Sequence, residues 1–328
     1  MLLGRFILEK KLSYDDVLLK PQRTDVDSLS SVETSVSLCG INLEVPMLSA
    51  PMDTVTERDM AEALADEGGI GVVHRFLEAD KQASMVEGVS PVASAVGLDE
   101  FDRCKKLVDA GVDLLVADIA HGHHESFLEF IRKVSQRFDV PVAAGNVATK
   151  EAAVDLAEAG ADAVKVGVGP GAACTTREMT GAGVPQFSAV KDLGSIDADV
   201  IADGGIRKPG DMVKALMAGA DCVMVGSILG DTVESPRQGE FRGMSTKAAA
   251  EDRGDRDLKE SDSYEEGETM EYTEDSTVEQ IAKEYLGGLK SGLSYCGADN
   301  VADARENAEF VKISGSTQYR NRAHGKDF

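Results

Sequence analysis

The stretch Ala159-Gly160-Ala161-Asp162-Ala163-Val164-Lys165-Val166-Gly167-Val168-Gly169-Pro170-Gly171-Ala172-Ala173-Cys174 decides the fold. Its opening reads as a glycine that ends a helix, followed by an Asp that starts a strand. Glycine accepts the left-handed turn after a helix without steric cost. The strand, Ala163–Val168, is nearly all apolar, as expected of a parallel strand covered on both faces. The stretch then closes on glycines at alternate positions and a thiol. Such a loop turns tightly and presents backbone groups at close range beside a nucleophile.

The same junction recurs at Ala110-Gly111-Val112-Asp113 and Ala218-Gly219-Ala220-Asp221. Working outward, short apolar runs predict strands at Pro46–Ala50, Ile70–His74, Val92–Gly97, Asp113–Ile119, Val140–Gly145, Ala163–Val168, Asp199–Asp203 and Asp221–Gly226. Amphipathic helices are expected between them, among them Glu57–Glu67, Phe101–Ala110, Glu125–Arg137, Lys150–Glu158 and Pro209–Met217. Eight β/α units in series point to an α/β fold of the (β/α)8 TIM-barrel type rather than an open doubly wound sheet. No linker divides residues 1–328, so the chain reads as a single catalytic domain. Residues 242–275 are expected to form a flap within it. Residues 251–275 hold twelve acidic side chains against three basic ones, and predict a solvated flap without packed elements. A last helix is expected over Val278–Ser291, stopped by Gly292.

Composition narrows the function. Asp and Glu outnumber Lys and Arg by 58 to 34, giving a net charge of −24. That field repels nucleic acid and anionic membranes, so neither is expected as a partner. A hydrophobic content of 42% excludes disorder as the explanation of that charge, which reads instead as adaptation to concentrated salt, where screening removes most self-repulsion. The five cysteines contain no Cys-x-x-Cys pair, which argues against a disulfide framework and a structural zinc site. The N-terminus shows no secretory pattern, and a cytoplasmic location is expected. Cys39, Cys104, Cys222 and Cys296 read as packed apolar residues. His121, His123 and His124 read as loop residues rather than metal ligands, lacking suitably spaced partners.

Functional groups of such barrels sit at the C-terminal strand ends. Here those ends carry Ser49-Ala50-Pro51-Met52-Asp53, His74-Arg75, Asp118-Ile119-Ala120-His121-Gly122, Gly145-Asn146, the Cys174 loop, Asp203-Gly204-Gly205 and Gly226-Ser227. The last two are glycine turns suited to cradle a phosphate.

Several segments carry a resemblance: Leu12-Ser13-Tyr14-Asp15-Asp16-Val17-Leu18-Leu19, Ala50-Pro51-Met52-Asp53-Thr54-Val55, Ala144-Gly145-Asn146-Val147-Ala148-Thr149, residues 167–183, Ile201-Ala202-Asp203-Gly204-Gly205-Ile206-Arg207, Val223-Met224-Val225-Gly226-Ser227 and Arg242-Gly243-Met244-Ser245. Together they resemble the IMP dehydrogenase/GMP reductase family over nearly the whole chain. The resemblance implies a purine nucleotide substrate, GMP or IMP, whose C2 is attacked by Cys174, and hydride exchange with a nicotinamide. It implies substrate contacts from Ser49, Met52, Asp203, Gly205, Gly226, Ser227, Gly243 and Met244. Glu266 stands as a purine contact or as one more flap charge. Cofactor contacts are implied for Arg75, Asp118, Asn146, Gly167 and Arg177, the last alternatively pairing with a carboxylate. The carbonyls of Gly169, Gly171 and Cys174 resemble the family's potassium site, and the family suggests a homotetramer. The regulatory CBS insert of many IMP dehydrogenases would fall within Arg75–Pro91, which is too short to hold it.

Direction of the chemistry rests on the flap. Dehydrogenases of the family use an Arg-Tyr pair there to activate water, and no such pair occurs between Gly243 and Glu271. Met244-Ser245-Thr246 resembles the reductase form, and Thr176 with Glu234 matches the reductase pair that handles the ammonia proton. The expectation is therefore NADPH-dependent reduction of GMP. NAD-dependent oxidation of IMP is the alternative, and a non-catalytic nucleotide-binding relative is the remote one. Gly68-Gly69-Ile70-Gly71 and Asp118-Ile119-Ala120-His121-Gly122-His123 look more like a dehydrogenase. His74-Arg75-Phe76-Leu77 departs from the reductase His-Lys-His-Tyr, so it leaves cofactor choice open.

Overall fold

The computed structural model describes residues 9–237, 239–244, 268–271, 276–315 and 317. Eight parallel strands form the barrel: β1 (Met47–Ser49), β2 (Gly71–Val73), β3 (Val92–Val96), β4 (Leu114–Asp118), β5 (Val142–Val147), β6 (Ala163–Val166), β7 (Asp199–Asp203) and β8 (Cys222–Val225). They pair in numerical order, and β8 pairs with β1. A parallel bridge between Leu48 and Ile70 closes the ring between β1 and β2.

The recurring Ala-Gly-x-Asp junction turns out to be a register lock as well as a helix stop. Gly111, Gly160 and Gly219 have φ of 90°, 98° and 122°, a region where a side chain would be strained. In the next step Asp113, Asp162 and Asp221 donate their N–H groups to the carbonyls of Val92, Val142 and Val200. Their Oδ2 atoms accept the N–H groups of those same valines, each at 2.8 Å. Each Asp thus clamps the entry of β4, β6 or β8 to the strand before it.

Side chains inside the barrel include Leu48, Val72, Ala95, Val116, Ile201 and Met224, all buried. The hairpin Val36–Leu38/Ile41–Leu43 plugs the N-terminal end, sending Leu38 and Leu43 into that interior. Its turn places Cys39 at φ 52°, and the Cys39 N–H donates to Asp199 Oδ2 at 2.6 Å. A larger apolar layer lies between the sheet and the surrounding helices.

Helices Glu125–Arg137 and Lys150–Glu158 occupy their predicted spans. The second is capped by Thr149, which accepts the Ala152 N–H. Two expectations are corrected. The helix beginning at Val278 runs through Gly292 to Tyr295. A Cβ on Gly292 would lie 2.5 Å from Val213, and one on Gly288 2.3 Å from Pro209. These glycines therefore allow close packing on helix Pro209–Ala218 instead of ending a helix. Within the expected flap, Thr269–Glu271 is a strand paired antiparallel with Glu240–Arg242, so the base of that segment is ordered structure.

Candidate active site

A cavity of about 1040 Å³ opens at the C-terminal ends of the strands. Its volume stands at the upper end of the range for small-molecule pockets. Of the expected substrate residues, Met52, Asp203, Gly205, Gly226, Ser227, Gly243 and Met244 line it. Of the expected cofactor residues, Arg75, Asp118, Asn146 and Gly167 line it. Cys174, Thr176, Gly169 and Gly171 complete one wall.

Cys174 is exposed, whereas Cys104, Cys222 and Cys296 are buried and Cys39 is half-buried. Burial pushes the Cys104 thiol up to about 12 and lifts Cys39, Cys222 and Cys296 above the ordinary thiol range, with nearby carboxylates adding to the effect at Cys39 and Cys222. The Cys174 Sγ donates to Thr176 Oγ1 at 3.2 Å, so a hydroxyl stands beside the accessible thiol. The Cys174 N–H donates to the Gly171 carbonyl at 3.2 Å, which leaves that oxygen a further lone pair. Among the described residues no group of three or more His, Cys, Asp and Glu side chains is arranged to hold a metal ion. His123 instead meets Asp155 at 2.8 Å, and His124 accepts the Ser126 N–H at its helix start.

At the centre lies a residue that sequence reading passed over. Lys165 of β6 is 2% exposed, and its Nζ donates to Asp118 Oδ1 at 2.7 Å and to Asp203 Oδ2 at 2.9 Å. A third bond goes to Asn146 Oδ1. Burial alone would lower the ammonium's pKa, but the carboxylates of Asp118 and Asp203 raise it above the ordinary lysine value. Asn146 Nδ2 adds bonds to Asp203 Oδ2 at 2.8 Å and to the Gly167 carbonyl at 2.7 Å. Buried Gln186 also donates to the Asp203 carbonyl at 3.1 Å. The signal for Lys165 was a lone cation in an otherwise apolar buried strand, where an unpaired charge would be costly.

The flap base is joined to the cysteine loop. Glu268 N–H donates to the Ala173 carbonyl at 3.0 Å, and its own carbonyl accepts the Gly243 N–H at 3.1 Å. Arg242, 2% exposed, pairs with Asp53 at 2.5 Å. Phe241 lines the cavity and packs on Gly226.

Three expected site residues, Ser49, Arg177 and Glu234, are placed elsewhere. Ser49 is fully buried below the cavity, where its Oγ accepts from Thr56 Oγ1 at 2.8 Å and from the Val72 N–H at 3.2 Å. Arg177 turns back on its own loop, donating to the carbonyls of Val168 at 3.2 Å and Val184 at 2.6 Å. Glu234 lines a separate cavity of about 630 Å³, which shares Phe76 and Leu77 with the main one, and accepts the Val278 N–H at 3.1 Å. Glu266, with most of the flap, lies outside the described residues.

Fold and site define a (β/α)8-barrel enzyme in which an accessible thiol faces glycine turns and an acid–lysine cluster. A family profile described as IMP dehydrogenase / GMP reductase domain matches residues 11–324. An inosine-5′-monophosphate dehydrogenase of Borreliella burgdorferi is 33% identical, over 97% of this chain and 98% of its own. A GMP reductase of Leishmania donovani is 31% identical, with 97% of each chain covered. The crystal structure of a Trypanosoma brucei GMP reductase in complex with guanosine 5′-monophosphate superposes with a TM-score of 0.92 at 27% identity, over 97% of this chain and 98% of that one. The chain belongs to the IMP dehydrogenase/GMP reductase family, whose oxidoreductases use nicotinamide nucleotides.

Proposed function

We propose that the protein is a GMP reductase, converting GMP, NADPH and a proton into IMP, ammonia and NADP+. The observation that carries this reading is the lack of an Arg-Tyr pair between Gly243 and Glu271, which removes the water-activating group that the resemblance assigns to dehydrogenases. In this reading the Cys174 sulfur attacks C2 of the purine. The S–C bond forms as the bond to the exocyclic amine breaks, and the amine leaves as ammonia. Thr176 Oγ1, 3.2 Å from the sulfur, stands where it can take the thiol proton and pass it to the leaving amine. Glu234, in the adjoining cavity, is the carboxylate assigned to resupply that proton. A nicotinamide held by Arg75, Asp118, Asn146 and Gly167 would supply hydride for C2, and Cys174 would be restored as its thiolate when the S–C bond breaks.

The Asp203-Gly204-Gly205 and Gly226-Ser227 turns take the ribose-phosphate, while Asp118, Asn146, Arg75 and Gly167 face the cofactor. Potassium on the Cys174 loop carbonyls, a homotetramer, a cytoplasmic location and salt adaptation complete the reading. No helix among the described residues is long and apolar enough to cross a membrane.

Oxidation of IMP with NAD is the second reading, favoured by Gly68-Gly69-Ile70-Gly71 and Asp118-Ile119-Ala120-His121-Gly122-His123, while His74-Arg75-Phe76-Leu77 leaves cofactor choice open. The test is a pair of assays in concentrated salt, GMP with NADPH and IMP with NAD. Consumption of NADPH with stoichiometric ammonia is expected. XMP and NADH from the second assay alone would overturn the proposal.

A further inference from the structure

The acid–lysine cluster spans both halves of the cavity. Asp118 ends β4, Asn146 lies on β5, Lys165 on β6, and Asp203 ends β7. One ammonium on β6 therefore serves three acceptors on β4, β5 and β7, at 2.7 Å to Asp118 and 2.9 Å to Asp203, with the bond to Asn146 as the third. An ammonium has three donors, so Lys165 is fully committed. Its charge balances only one of the two carboxylates it touches. Both carboxylates still reach solvent in the cavity, with side-chain exposures of 24% for Asp118 and 22% for Asp203.

We propose that Lys165 is a positioning residue that bridges the two acids and transmits the charge state of the cofactor-side acid to nucleotide binding at Asp203. This rests on the reading that Asp203 faces the purine nucleotide and Asp118 the cofactor. The excess negative charge makes each carboxylate a stronger acceptor for ligand hydroxyls than it would be if paired alone with the ammonium. Whatever neutralises Asp118 releases Lys165 to Asp203, and the ribose then meets a weaker acceptor. By the same route, ligand donors at either acid take up part of the shared excess charge and leave the other a weaker acceptor, which couples the two halves of the site without contact between the ligands.

The test is a double-mutant cycle read by calorimetric titration of GMP, and separately of IMP, into protein without cofactor. Asp118→Asn should weaken nucleotide binding at least about fivefold, the lower range of coupled sites, although the nucleotide does not touch that side chain in this reading. In the Lys165→Met background the same Asp118→Asn change should alter nucleotide affinity by less than about twofold, as for independent sites. Thermal melting checks folding, and Lys165→Gln replaces Lys165→Met if that variant does not fold. Equal effects of Asp118→Asn in both backgrounds, or no effect where Lys165 is present, would overturn the bridge. Failure of the wild-type protein to bind either GMP or IMP would instead overturn the underlying reading of the site.

Discussion

The two ends of the barrel use the same residue types for opposite purposes. At the N-terminal end, Asp113, Asp162 and Asp221 each spend a carboxylate oxygen on a strand amide at 2.8 Å, and Asp199 holds the Cys39 turn. At the C-terminal end, Asp118 and Asp203 share one lysine and keep part of their surface open to the cavity. Cysteines divide in the same way. Cys222 is buried in the barrel beside Asp221 and Asp199, which raise its thiol further after burial has done so, whereas Cys174 is exposed in a glycine loop. Acids and thiols satisfied by backbone and burial hold the structure. The same groups left accessible over glycine turns are available for chemistry.

The largest effect that could break this contrast is at the thiols. Cys174→Ala should lower kcat at least about a thousandfold, as loss of a nucleophile does, with little change in melting temperature. Cys222→Ala should leave kcat within about twofold and cost stability, about 1 kcal/mol or more from the void it leaves. Steady-state kinetics beside thermal melts would separate them, and comparable turnover in the two variants would erase the distinction.

The acids provide the next test. Asp162→Ala leaves the buried Val142 N–H without its carboxylate partner and should destabilise by about 1–3 kcal/mol, read from chemical denaturation, while nucleotide affinity stays unchanged. A loss of affinity without a loss of stability would contradict the division between the ends.

A smaller effect is expected with pH. The folded thiols of Cys39, Cys104 and Cys222 hold their protons more tightly than those of the unfolded chain. Their contribution to stability is thus complete below the unfolded thiol pKa of about 8.5 and falls as pH rises from there toward 12, by up to about 1.4 kcal/mol per unit per thiol. Denaturation curves at pH 8 and pH 10.5 should show the decline, and Cys104→Ala should reduce it. The least local effect concerns the net charge of −24, whose self-repulsion salt screens. Melting temperature should rise with potassium chloride from 0.1 to 2 M in wild type and Cys174→Ala alike, and a flat response would remove the salt-adaptation reading.

How far the sequence led follows the same division. The eight apolar strands and the Ala-Gly-x-Asp junctions made the barrel readable, because buried parallel strands and left-handed glycines leave local signatures. The thiol loop and the glycine turns were readable for the same reason. Lys165 was not, since its importance lies in carboxylates 47 and 38 residues away. Gly292 was misread as a helix stop because its reason, Val213, is distant in the chain. Ser49 stood at a strand end, yet its side chain turns into the core toward Thr56, and Glu234 fell into the neighbouring cavity. Residues that act through long-range neighbours carry no local mark.

The central claim is that the exposed thiol attacks the purine. Protein turning over GMP with NADPH should be quenched in acid, digested, and the peptide carrying Cys174 weighed. The account predicts a purine-nucleotide adduct on Cys174 that has lost the exocyclic amine, and no turnover in Cys174→Ala. An adduct on another residue, or sustained turnover by Cys174→Ala, would contradict it.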